Sequence, residues 1–140
     1  MGLRRLSREY ALQILYAVDV CKLESEDAQK SFWKDRKSGK KVLEFATTLV
    51  EGTLKNLPEI DSLISKYARN WDIHRMASID RNILRQATFE ILYLLDIPIN
   101  VIINEAVELA KKYSTEESGK FVNGILDKIR ESRSVKDLKE

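Results

Sequence analysis

The sequence is poor in the residues that cross-link a chain or interrupt its helices. It has one cysteine, two prolines and five glycines among 140 residues. A single cysteine, Cys21, cannot form an internal disulfide or a cysteine-rich metal site. So few prolines and glycines favour long helices over a fold of short strands and turns.

Long apolar runs are also missing. No stretch approaches the ~18 residues that a membrane-spanning helix requires, and the N-terminus lacks the apolar segment of a secretory signal. Hydrophobic residues make up 44% of the chain and charged residues 33%, as in a soluble globular domain. We expect one cytoplasmic domain over residues 1–131, a frayed tail over 132–140, and no membrane partner.

Catalytic signatures are absent as well. His74 is the only histidine, and it and Cys21 are better explained as buried structural residues than as a catalytic pair. There is no phosphate-binding glycine loop and no common hydrolase or metalloprotease motif. Glu105 and Glu108 have the spacing of metal ligands, but the Glu-x-x-His pairs of di-metal bundles are missing. The sequence predicts no enzymatic activity, no cofactor and no metal.

What is present is helical periodicity along nearly the whole chain. Apolar residues recur at i, i+3, i+4 and i+7, without a strand pattern. The expected fold is a single compact all-α domain of about seven helices. We expect a first helix capped by Ser7, helices near 25–35 and 40–56, one opened by Pro58, one near 79–95 capped by Ser78, one ending near Tyr113 and a last capped by Ser114 or Thr115.

Positive charge is concentrated outside the middle of the chain. Residues 42–110 hold six basic and ten acidic residues, a net charge of −4, although the whole chain carries +2. The basic residues gather in three places: Arg4, Arg5 and Arg8 at the start, Lys34, Arg36, Lys37, Lys40 and Lys41 before the third helix, and Lys111 to Arg133 at the end. This segregation suggests an anionic partner, with solubilising surface charge as the alternative for any one cluster.

The last predicted helix carries the most specific pattern. Lys120, Phe121 and Asn123 place a cation, an aromatic ring and an amide side by side, which suits single-stranded RNA. Gly124 inside that helix costs about 1 kcal/mol relative to alanine, which suggests that the face must stay uncluttered. The alternative for Phe121 is an ordinary core position.

The first helix offers a second candidate RNA surface. Arg4, Arg5 and Arg8 precede Tyr16 by a few turns, and arginines beside an aromatic suit phosphate contact and base stacking. The alternatives are a disordered terminus for the arginines and core packing for Tyr16. Two further charged pairs, Asp80-Arg81 and Arg85 with Glu90, are interpreted as ordinary helix-surface charges.

Several segments also form an ordered pattern. They are Arg4-Arg5 with 11–16, then 79–85, 96–98, 103–111, Ser118 and 120–127. The most specific is the stretch Ile103-Asn104-Glu105-Ala106-Val107-Glu108-Leu109-Ala110-Lys111. In this order and along nearly the whole chain, they resemble the NusB family of bacterial transcription antitermination factors.

The resemblance implies an all-helical fold of two small bundles. It also implies binding to the boxA element of ribosomal RNA leaders together with the ribosomal protein NusE. The complex would then join the RNA polymerase elongation complex with other Nus factors, suppress termination and aid ribosomal RNA maturation. Some members of the family self-associate, so a homodimer is a further expectation.

By position, the resemblance assigns three groups of residues. It places Arg4, Arg5, Arg8 and Tyr16 on the RNA side, together with Lys120, Phe121 and Asn123. It places Asp80, Arg81 and Glu117 near the junction of NusE and RNA. The arginine arm is short, with only two adjacent arginines, and the cluster 34–41 could compensate for it.

Two other functions remain open from the sequence. The same helical module occurs at the N-terminus of ribosomal RNA cytosine methyltransferases, which would need a long α/β extension beyond Glu140. A helical scaffold that binds only proteins would keep its partners after the loss of Arg4, Arg5 and Lys120.

Overall fold

A computed structural model describes residues 2–69 and 72–133, and within these ranges it contains seven helices and no strand. The helices are α1 (Leu3–Val20), α2 (Ser25–Lys34), α3 (Lys40–Lys55), α4 (Leu57–Tyr67), α5 (Ser78–Tyr93), α6 (Ile99–Tyr113) and α7 (Glu116–Ile129). The prediction of an all-α fold is therefore confirmed. None of these helices is long and apolar enough to cross a membrane.

Helix α5 lies at the centre of the molecule. Every residue from Asp80 to Leu92 is buried, because α1, α3, α4, α6 and α7 all pack against α5. Helix α2 packs on α1. The two small bundles thus share α5, and the position of each bundle is set by its contacts with that helix.

The helix ends agree with the sequence prediction only in part. Thr115 caps α7, because its side chain accepts a hydrogen bond from the backbone N–H of Ser118 at 2.9 Å. Ser7 does not cap α1, which begins four residues earlier at Leu3. The buried Ser7 hydroxyl lies 3.0 Å from the carbonyl oxygens of Leu3 and Val42, and so fastens α1 to α3.

The seam between α1 and α5 is polar at both ends. Near the start of α1, Arg8 makes a two-pronged ion pair with Glu90, with a shortest N–O distance of 2.7 Å. Near the end of α1, Asp19 accepts hydrogen bonds from Arg81 at 2.8 Å and Asn82 at 2.9 Å. Because early residues of α1 pair with late residues of α5, the two helices run antiparallel.

The interpretation of Asp80, Arg81, Arg85 and Glu90 as surface charges is wrong. Their exposed fractions are only 7%, 8%, 7% and 2%. Arg85 binds Asp61 of α4 through its Nε at 2.8 Å and also lies 3.3 Å from Asp19. The repulsion between Arg81 and Arg85 does not drive them into solvent, because Asp19 lies between them.

Cys21, which was expected to be buried, is exposed.

Arg133 closes the C-terminal end of α5. Its guanidinium donates hydrogen bonds to the carbonyl oxygens of Glu90, Ile91, Leu94 and Ile97, at distances from 2.7 to 3.1 Å. These include carbonyls that a helix leaves unpaired at its end. Arg133 is buried. The frayed tail expected over 132–140 stays a prediction, because residues 134–140 lie outside the described part of the chain.

Gly52 allows α3 to approach α5 closely. A Cβ atom at this position would overlap the ring of Phe89. We predict that Gly52→Ala lowers the free energy of unfolding by about 1–3 kcal/mol, because Phe89 must move within a packed core. Gly124→Ala is the matched control, because nothing lies within 4 Å of its Cβ position.

Urea unfolding of both variants tests this close approach. The control should be as stable as the parent or more stable by up to about 1 kcal/mol, since alanine is the better helix former. Equal stability of Gly52→Ala and the parent would show that α3 and α5 are not packed as closely as described.

The pairing of Asp19 with two arginines gives the stability a pH dependence. Burial raises the pKa of Asp19, but hydrogen bonds from Arg81 and Asn82 and the charges of Arg81 and Arg85 outweigh it, so the net pKa is lowered. The ionised form is therefore favoured by folding. The resulting stability is present above the unfolded pKa of about 3.9 and is lost as the pH falls through the lower folded value.

We predict that Asp19→Asn costs about 3 kcal/mol at neutral pH, because it leaves the buried guanidinium of Arg81 without its carboxylate and leaves Arg85 with Asp61 alone. The difference from the parent should begin to shrink below about pH 4, where Asp19 of the unfolded chain takes up a proton, and should be lost as the pH falls through the lower pKa of the folded chain. Denaturant unfolding over a pH series measures it, with Asp35→Asn at an exposed position as the control. A difference that stays constant down to acid pH would contradict the ionic role of Asp19.

Candidate nucleic-acid interface

One face of α1 lies along α6. Arg5 donates a hydrogen bond to Glu105 at 3.0 Å, and Glu9 accepts hydrogen bonds from Lys112 at 2.7 Å and Tyr113 at 2.5 Å. Because the residue numbers on both helices increase together, α1 and α6 run in the same direction. This face of α1 therefore leads towards the turn between α6 and α7.

Tyr16 lies farther along that face. It follows Glu9 by seven residues, which is two helical turns and about 10 Å along the axis. Its exposed fraction is 38%, so the structure does not place it in the core. Tyr16 therefore lies on the same side of α1 as Glu9, about two turns beyond the contact of Glu9 with Tyr113.

Helix α7 divides its residues between core and solvent as the periodicity predicts. Val122, Ile125, Leu126 and Ile129 are buried, whereas Lys120 and Asn123 are exposed. Phe121 lies at the margin, packed partly against the core. Lys120 makes a long contact of 3.5 Å with Glu117, and the Lys120 side chain is 76% exposed. Its charge is therefore only weakly compensated.

Phe121 borders an open pocket of about 340 Å³ between α5 and α7. The other residues of the pocket wall are Met76, Ala77, Asp80, Glu117 and Ser118. Asp80 Oδ2 accepts a hydrogen bond from the Ser118 hydroxyl at 3.0 Å. Asp80 Oδ1 is buried and has no hydrogen-bond donor among the described residues. An aromatic side chain and a carboxylate residue thus line one pocket.

Arg81 holds the wall of the same pocket from its buried side. Its NH1 group lies 3.2 Å from the carbonyl oxygens of Ile73 and Met76, to which it donates, while its Nε binds Asp19. These bonds fix the segment before α5 against the end of α1. Because Arg81 is buried, it positions the pocket and does not itself offer a charge to solvent.

The three N-terminal arginines have different environments. Arg8 is 3% exposed, and it pairs with Glu90 and lies 3.7 Å from Glu105. Because Arg8 is buried, it does not present its guanidinium for the phosphate contact expected from the sequence. Arg5 is half-exposed but bound to Glu105. Arg4 is exposed, and its guanidinium lies over the Phe45 ring at 4.7 Å from the centroid.

Two carboxylates balance this arginine group. The hydrogen bond from Arg5 is the largest influence on Glu105 and, with the charges of Arg5 and Arg8, lowers its pKa against the opposing effect of burial. Burial is the largest influence on Glu90 and raises its pKa, although Arg8 opposes the rise. The three arginines thus belong mainly to a structural network. Of the three, Arg4 is the one whose side chain is exposed.

The carboxylate partners are not visible in the sequence because they lie about 80 to 100 positions away. One signal does exist for Arg8. It precedes Ala11, Leu12 and Leu15 by three, four and seven residues, so it belongs to the apolar stripe of α1. A cation on such a stripe is buried only with a partner.

Comparisons with known proteins agree in sequence and in fold. The model of the NusB family matches residues 5–131. The transcription antitermination protein NusB of Thermodesulfovibrio yellowstonii is 48% identical over 140 residues, with 90% of each chain covered. The protein of the same name from Pelotomaculum thermopropionicum is 50% identical over 129 residues, with 92% of this chain and 90% of that protein covered.

Solved structures lead to the same family. NusB of T. maritima superposes with a TM-score of 0.85 at 42% identity, over 94% of this chain and 92% of that one. A crystal structure of the antitermination factors NusB and NusE in complex with double-stranded RNA superposes with a TM-score of 0.86 at 31% identity, over 94% and 98% of the two chains. By sequence and by fold, the chain belongs to the NusB family.

Proposed function

We propose that this protein is a non-catalytic, cytoplasmic adaptor for transcription antitermination. It binds a boxA-type single-stranded segment of a ribosomal RNA leader together with the ribosomal protein NusE. The complex then joins elongating RNA polymerase with other Nus factors. The observation that carries the proposal is the outer face of α7, where Lys120 and Asn123 are exposed beside Phe121 and an open pocket.

The chemistry of this face suits unpaired bases. Lys120 supplies a weakly compensated cation for a phosphate, and the exposed edge of Phe121 offers a surface on which a base stacks. Asn123 can donate to and accept from a base edge. Tyr16, exposed on α1, adds a second aromatic ring.

The N-terminal arginines take different parts in the proposed site. Arg4 and Arg5 contact the RNA backbone, Arg4 more strongly because Arg5 shares its charge with Glu105. Arg8 acts indirectly, because its pairing with Glu90 holds α1 in place on α5.

We infer that NusE and the RNA meet on this protein at the pocket between α5 and α7. Asp80 lines this pocket, and its carboxylate is held in the wall by the hydrogen bond from the Ser118 hydroxyl. Glu117 stands exposed at the rim. Arg81 holds the wall of the pocket through Ile73 and Met76 and so affects both partners without touching them.

The names of the relatives support an adaptor over an enzyme. They are antitermination proteins, and this chain covers about nine-tenths of the length of the two compared above. The solved complex of NusB and NusE with RNA supports the choice of partners. A methyltransferase module and a scaffold without RNA binding have no comparable support.

Phe121→Ala tests the stacking role. We predict that it weakens binding to a boxA-like RNA by about 1–3 kcal/mol, roughly five- to 150-fold, because one base loses its stacking surface. Phe121→Tyr keeps the ring and should bind like the parent. Fluorescence anisotropy measures binding, and thermal unfolding of each variant separates lost stacking from lost folding. Parental affinity in a folded Phe121→Ala protein would contradict the role.

The adaptor function itself is tested by comparing boxA-like RNA with a scrambled RNA, with and without NusE. We expect preference for the boxA-like RNA, strengthened by NusE and weakened as salt rises. Lys120→Ala should weaken binding, whereas Lys128→Ala, at an exposed position on the same helix, should not. Equal weak binding to both RNAs, unchanged by NusE, would leave a protein-only scaffold.

A further inference from the structure

A groove separates the first turns of α1 and α3. It is open, has a volume of about 640 Å³ and is lined by Gly2, Leu3, Arg4, Ser7, Lys41, Glu44, Phe45 and Thr48. The two helices run in the same direction, since the start of α1 lines this groove with the start of α3, and the end of α1 lies beside the end of α3 at a second pocket, where Leu15 and Val18 line the wall with Thr53 and Leu54. Neither helix has an acidic residue in its first turn, so neither dipole is compensated there. The carboxylate that lines the groove, Glu44, lies 3.7 Å from Lys40.

Arg4 is held in this groove by a ring and not by an acid. The Phe45 ring lies 4.7 Å from its guanidinium, and among the described residues no carboxylate forms an ion pair with Arg4. A cation–π contact fixes the position of a guanidinium without neutralising its charge or using its in-plane N–H donors. Arg4 is therefore preorganised to receive an anion.

The basic cluster 34–41 continues this surface. It contains five basic residues and one acid, Asp35, and Lys37 and Lys41 are exposed and form no ion pair within the described part of the chain. Lys40 has only a long contact of 3.7 Å with Glu44. The whole cluster therefore carries nearly its full charge.

Arg36 keeps the cluster close to α1. Its guanidinium lies 4.0 Å from the centroid of the Phe32 ring and 5.9 Å from that of Tyr10, a residue of α1. It also donates to the Phe32 carbonyl oxygen at 3.0 Å. The loop after α2 is thus tied to the α1–α2 contact, beside the start of α3.

We propose that this groove binds the phosphate backbone of the RNA that flanks the boxA-type segment. The two surfaces meet at the start of α1, because adjacent Arg4 and Arg5 reach different neighbours there, Phe45 of α3 and Glu105 of α6. Lysines and a ring-held arginine without base-reading amides suit sequence-independent contact. The groove lengthens the RNA footprint and offsets the short arginine arm.

This inference rests on the proposed function. Its test therefore compares the affinity for a boxA-like RNA with the affinity for the same RNA extended by a flanking tract. The probes are a boxA-like RNA alone and the same RNA with a short uridine tract at its 5′ end or at its 3′ end. The test variant is Lys37→Gln/Lys41→Gln. The matched control is Lys30→Gln/Lys55→Gln, which removes two exposed lysines elsewhere on α2 and α3.

One of the two extended RNAs should bind the parent roughly three- to tenfold more tightly at low salt than the boxA-like RNA alone. The slope of log affinity against log salt should steepen by about 1.4 if two further phosphates are neutralised, since each contributes about 0.7 on a single strand. Lys37→Gln/Lys41→Gln should abolish this gain and keep the affinity for the boxA-like RNA alone. The control should keep the gain.

Three results would overturn the inference. One is the absence of a gain with either extension in a protein that still prefers boxA-like RNA, and another is a gain that survives in Lys37→Gln/Lys41→Gln. A third is loss of NusE binding by that variant without RNA, which would assign the cluster to an acidic protein surface. Failure to prefer boxA-like over scrambled RNA would instead refute the proposed function.

Discussion

The rest of the structure depends on the charged seam between α1 and α5. Arg8 and Glu90 close one end, and Asp19 with Arg81 and Arg85 closes the other. Buried ion pairs of this kind add little net stability compared with apolar packing, but the loss of one partner costs about 3–5 kcal/mol. Their main effect is therefore on geometry, since α1 cannot slide along α5 without leaving a charge unpaired. The seam fixes how one bundle sits on the other.

That fixed register is what makes a composite surface possible. The end of α1 is tied through Asp19 and Arg81 to the start of α5, and Asp80 ties the same place to Ser118 of α7. The end of α1 and the start of α7 are thereby both fixed to the start of α5. In the proposed site, the face of α7 supplies the groups suited to bases, and Arg4 at the start of α1 supplies a cation for the RNA backbone. The charges that hold the fold point inward and those proposed to hold RNA point outward.

The sequence predicts local helical properties well, but it does not show which distant residues pair with each other in the fold. The helices, the Thr115 cap and the division of α7 into buried and exposed faces follow from periodicity, which acts over a few residues. The burial of Arg81 and Arg85 does not, because Asp19 and Asp61 lie 62 and 24 residues away from them. Arg133 was missed for a similar reason, since its acceptors are backbone carbonyls that carry no sequence signal. In the candidate site, residue types were predictable, but the separation of Arg4 from Arg8 required the fold.

The central claim is that RNA binds a surface built jointly by α1 and α7. The most direct measurement follows the backbone amide signals of isotope-labelled protein by NMR during titration with a boxA-like RNA, with a scrambled RNA as the control. A composite surface predicts that the signals changing most belong to the start of α1, to Tyr16 and to residues 117–124 of α7, while those of α4 stay constant. Changes confined to one of the two helices, or centred elsewhere in the fold, would contradict it.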